Sequence, residues 1–95
     1  MKLYHDKTLI GTIVNFGPDG LGMCGFIELS ANADKYGEVF AYFDDPKRDH
    51  TKEPPFPEEM LWNWFIEKDD GAREEIGLPG VHREVDKTEI YWRYI

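Results

Sequence analysis

Three short runs in the first half of the chain constrain the fold most: GTIVNF at Gly11–Phe16, GFIEL at Gly25–Leu29 and EVFAYF at Glu38–Phe43. Each is rich in β-branched or aromatic residues, which suit a pleated, half-buried surface. Strand side chains alternate with period two. Read that way, Val39, Ala41 and Phe43 share one face and Phe40 and Tyr42 the other. Ile27 and Leu29 share a face, and Phe26 lies opposite with Glu28. One face of each strand can enter a core. The aromatics on the other face must be covered or stand out as a platform.

The rest of the chain continues the same pattern. Lys7–Phe16 reads as the first strand, with a bulge or bend at Gly11. Gly17–Gly22 is a turn cluster, Gly25–Leu29 the second strand and Glu38–Asp44 the third. Ser30–Tyr36 is a polar connection with room for one helical turn. Asp45–Pro57 holds four prolines and no apolar periodicity, so it reads as a long loop. Met60–Glu67 fits a helix started after Pro57, but its two Trp, Phe and Ile favour a strand with Trp62, Trp64 and Ile66 on one face. The stretch Lys68–Gly71 would end it in a turn. Ala72–Ile76 reads as a helical turn and Leu78–Gly80 as a type II turn. Thr88–Ile95 is the last strand. The expectation is a mainly β single domain over 1–95: a small five-stranded antiparallel OB-like barrel, with a long Pro-rich loop and room for one short helix.

Composition limits function. At 95 residues and 41% hydrophobic, the chain can bury a small core. Cys24 is alone, so no internal disulfide or CxxC zinc pair exists. The polar start at Met1–Lys7 shows no signal-peptide pattern, and no apolar run reaches membrane-span length. A cytoplasmic, soluble protein without membrane contact is expected. His5, His50 and His82 share no ligand spacing, so no metal is expected. The paired acids Asp44-Asp45, Glu58-Glu59, Asp69-Asp70 and Glu74-Glu75 read as solvated surface. No constellation points to catalysis or to a cofactor, so a non-enzyme is expected.

The first half resembles a cold-shock domain. That family runs through GTVKWF-like, GFGFI-like and DVFVHF-like strands. The matching stretches here are Gly11–Phe16, Cys24–Ile27 and Glu38–Phe43, in the same order. The resemblance covers roughly residues 10–44. It implies an OB fold that binds single-stranded RNA or DNA, with bases stacked on Phe26, Phe40 and Tyr42. Phe43 would flank them. From the residues themselves, Phe16 is a further candidate contact, and Lys7, Lys35 and Arg48, with Lys47 and Lys52 of the loop, are the candidate cations for phosphates. Stacking on aromatic platforms contributes roughly 1–3 kcal/mol per base. The chain departs from the family at Val14 and Asn15, which stand in place of its Lys and Trp.

The formal net charge of −8 opposes generic phosphate binding, although cold-shock domains are themselves often acidic. It also fits a second class: an acidic interaction module, such as an inhibitor or nucleic-acid mimic, docking on a basic protein surface. Trp62, Trp64 and Trp92 would then join the aromatic patch as a hot spot. The bland alternative is that Phe26, Phe40 and Tyr42 pack beneath the C-terminal segment.

Overall fold

The computed structural model describes residues 1–49 and 51–95. His50 lies outside them. The strands are β1 (Lys2–His5), β2 (Thr8–Asp19), β3 (Gly22–Leu29), β4 (Trp64–Glu67), β5 (Arg73–Ile76), β6 (Gly80–Arg83) and β7 (Thr88–Trp92). One helix, α1, spans Gly37–Asp44, and 3-10 turns cover Ala31–Tyr36 and Glu58–Leu61. All strand pairs are antiparallel, in the order β5-β4-β1-β2-β3-β7-β6. The sheet curls into a half-barrel of seven strands rather than the five expected.

β2 drives the curl because it is long and twice irregular. Gly11 pairs with Leu3 and Leu9 with Tyr4, leaving Ile10 as an extra residue beside the expected bend. A side chain at Gly11 would sit 2.6 Å from the Glu28 carbonyl oxygen, so only glycine lets β3 approach there. Further along, Val14 pairs with Phe26 and Gly17 with Cys24, so Asn15 and Phe16 together oppose Gly25. Bulges of this two-against-one kind sharpen twist and re-aim side chains. Asn15 takes φ 51°, a left-handed conformation that asparagine tolerates. The β2–β3 turn is tight, with Gly20 at φ 60°.

The concave side holds the core. Leu3, Ile10, Ile13, Ile27, Ile66, Ile76 and Ile90 are buried there around Trp64 and Trp92. The tail after β7 returns to the opposite side of the sheet. Ile76 bridges Tyr94, and the Gly77 N–H donates to the Arg93 carbonyl at 3.0 Å.

The expected third strand is helical. Glu38–Asp44 alternates plausibly, but Tyr36, Val39, Phe40 and Phe43 also fall at i, i+3, i+4 and i+7, a helix stripe. Tyr36, Val39 and Phe40 are buried, and the rings of Tyr36 and Phe40 lie 5.5 and 5.8 Å from that of Trp64. Covering one aromatic core residue with two others outweighed the β propensity of the segment. The His5 Nδ1 also lies 2.7 Å from the Tyr36 hydroxyl, tying the helix approach to β1.

Three other expectations are corrected. The run Met60–Glu67 splits: a 3-10 turn ends at Leu61, Asn63 turns at φ 66°, and the strand starts at Trp64. Trp64 and Ile66 therefore share the buried face, while Trp62 is 61% exposed. Ala72–Ile76 is no helical turn. Glu67 pairs with Arg73 and Trp64 with Ile76, a hairpin closed by the turn expected at Lys68–Gly71. At Leu78–Gly80 no type II turn forms, because Gly80 lacks the positive φ that turn requires and instead opens β6.

Candidate functional site

The outer, convex face of β2, β3, β7 and β6 carries two rows of side chains that register fixes. Val14, Phe26, Glu89 and His82 are successive cross-strand partners, and so are Gly17, Cys24, Tyr91 and Gly80. The second row begins and ends in glycine, so its flanks carry no side chains. A groove of about 430 Å³ results, floored by Phe26, Cys24 and Tyr91. That size falls in the range of small-ligand sites, roughly 300–1,000 Å³.

The walls are acidic. The β2 bulge and hairpin supply Asn15 and Asp19 on one side, and Glu89 rises from the floor. The last residue of α1, Asp44, meets β6 from the far side, where His82 Nδ1 lies 2.7 Å from its carboxylate. His82 Nε2 is 3.6 Å from Glu84. The hydrogen bond and charge of Asp44 raise the His82 pKa above its ordinary value, with Glu84 and Glu89 adding to the effect. Two cations flank the floor: the Arg93 Nε donates to the Tyr91 hydroxyl at 3.2 Å, and from the β6–β7 turn comes Lys87. Its ammonium sits 5.5 Å over the Phe26 ring, 3.6 Å from Glu89 and 3.7 Å from Glu84.

Of the residues expected to form an aromatic platform, only Phe26 lines this groove. Phe40 is buried in the core. Tyr42 and Phe43 lie on α1 and form a separate cluster with Phe56 of the Pro-rich loop, at centroid distances of 5.0–5.9 Å. Phe16, 41% exposed, sits on the bulge beside Gly25. The expected cations do not converge. Lys7 is in the β1–β2 turn and Lys35 in the first 3-10 turn, both exposed. Arg48 folds back so that its guanidinium donates to the Phe43 carbonyl and lies 5.4 Å from the Phe43 ring. Of the expected tryptophan patch, Trp64 and Trp92 are core residues.

No local pattern in the sequence marks Asp44, His82, Glu89 and Tyr91 as one site. Their juxtaposition depends on β6 pairing with β7 and on a helix ending at Asp44. The available signals were the helix stripe and the alternation in Thr88–Trp92, which puts Glu89 and Tyr91 on one face. No three His, Cys, Asp or Glu side chains form a metal-binding group among the described residues. No described helix is long and apolar enough to cross a membrane. Comparison with protein-family models, with curated proteins and with solved structures finds no match.

Proposed function

We propose that this chain is an acidic, non-enzymatic interaction module that presents the convex face of β2, β3, β7 and β6 to a basic protein surface. The observation that carries the reading is the groove itself: an aromatic floor at Phe26 and Tyr91 from which Glu89 rises, walled by Asp19 and Asp44. An apolar centre within a charged rim is the layout of a protein-docking patch. The overall charge of −8 supports the same choice, because it speeds encounter with a cationic partner and disfavours competitors of like sign. Single-stranded nucleic acid has less support. The groove carboxylates would repel phosphates, and Phe40 is not available to stack.

The test is a titration of isotope-labelled protein with two probes, a lysine- and arginine-rich peptide and a single-stranded oligonucleotide, each at low and moderate salt. The expected result is peptide-induced shifts concentrated at Cys24, Phe26, Glu89 and Tyr91 that weaken as salt rises, with no response to the oligonucleotide. Oligonucleotide shifts on that face, or peptide shifts scattered over the whole acidic surface, would overturn the reading.

A further inference from the structure

Lys87 occupies a seat built for a better cation. It approaches Phe26, Glu84 and Glu89 together, yet both carboxylates are 3.6 Å or more from its ammonium, beyond hydrogen-bond reach. The side chain is 43% exposed and belongs to a turn closed by the Glu84 N–H on the Lys87 carbonyl, at 2.8 Å. Its backbone is therefore fixed and its ammonium loosely held. An ammonium is a compact point charge. A guanidinium is planar, stacks on an aromatic face and forks onto a carboxylate at once. Phe26 and Glu89 are direct cross-strand partners, so face and fork acceptor stand side by side on rigid strands.

We infer that Phe26, Glu84 and Glu89 form a subsite for one arginine side chain of the partner, and that Lys87 is an internal stand-in which that arginine displaces. The inference rests on the docking reading given above. On displacement, the guanidinium stacks over Phe26 and bonds Glu89, while the ammonium of Lys87 swings to solvent. Arginine is also among the residues most enriched at the energetic centres of protein interfaces.

The experiment compares two peptides of equal length and charge, one with arginine and one with lysine, by calorimetry and by amide shifts. The proteins are the parent, Lys87→Ser, Phe26→Leu and, as a control for bulk charge, Lys35→Ser. The parent should favour the arginine peptide by about two- to fivefold, the equivalent of roughly 0.5–1 kcal/mol. Lys87→Ser should tighten arginine binding more than Lys35→Ser does, and Phe26→Leu should abolish the preference while the amide spectrum shows an intact fold. If both peptides bind the groove equally and the two lysine variants behave alike, the arginine subsite is wrong and the docking reading survives. If neither peptide shifts the groove in any of the four proteins, both are wrong.

Discussion

His82 has its Nδ1 2.7 Å from Asp44, is 3.6 Å from Glu84 and stands across the strand pair from Glu89, with Lys87 beyond. Asp44 holds the imidazolium form and raises its pKa above the ordinary value, about 6.5. A raised pKa in the folded state means protonation favours folding. The contribution is complete below about pH 6.5 and fades as pH climbs through the raised folded value. His82 is solvent-accessible, so the effect is small. Denaturant midpoints measured from about pH 6 to 9 should fall slightly in the parent, and this component should be missing in His82→Gln. A midpoint slope unchanged by the substitution would mean that the Asp44 contact does not outlast solvent competition.

At the scale of elements, α1 decides how the site is built, and it is the element that alternation hides. Ala41 is exposed in the helix interior. Proline there removes a hydrogen bond and clashes with the preceding turn, costing about 3 kcal/mol or more. Ala41→Pro should therefore lower the urea midpoint sharply, whereas an exposed edge strand would tolerate it better. Much of the sheet was readable: the mainly β class, the cores of β2 and β3, the turn after Glu67 and the start of β7 follow from period-two patterns and glycine punctuation. β1 was not, because its four residues alternate with polar neighbours and only Leu3 is fully buried. β5 and β6 were not, because each buries a single side chain, Ile76 and Val81, and relies on its neighbour for pairing. The site was legible at Phe26 alone. Its other members come from opposite ends of the chain and are joined by the β3–β7 pairing, a contact that local patterns do not encode.

For the whole molecule, the tail from Arg93 to Ile95 ties β7 to β5. The Gly77 N–H donates to Arg93, the Ile95 N–H donates to Glu75, and Tyr94 bridges Ile76. These bonds join β7 directly to β5, two strands with four others between them in the order of the sheet. Removing residues 93–95 should leave the β2–β3 hairpin protected while the amide of Gly77 exchanges much faster, as read by hydrogen exchange. Equal protection of Gly77 in the truncated chain would show that the curl holds without its tie.

The three tryptophans divide into two environments. Trp64 and Trp92 are enclosed in the core, while Trp62 stands 61% exposed just outside it, beyond the turn at Asn63. Excited indole in contact with water emits at longer wavelength and is open to collisional quenchers, and an enclosed indole is neither. The chain thus carries a two-colour optical gauge of its own. The blue component follows the integrity of the barrel wall. The red component reads the surface beside the turn at Asn63, so events there can be separated from unfolding without attaching any dye.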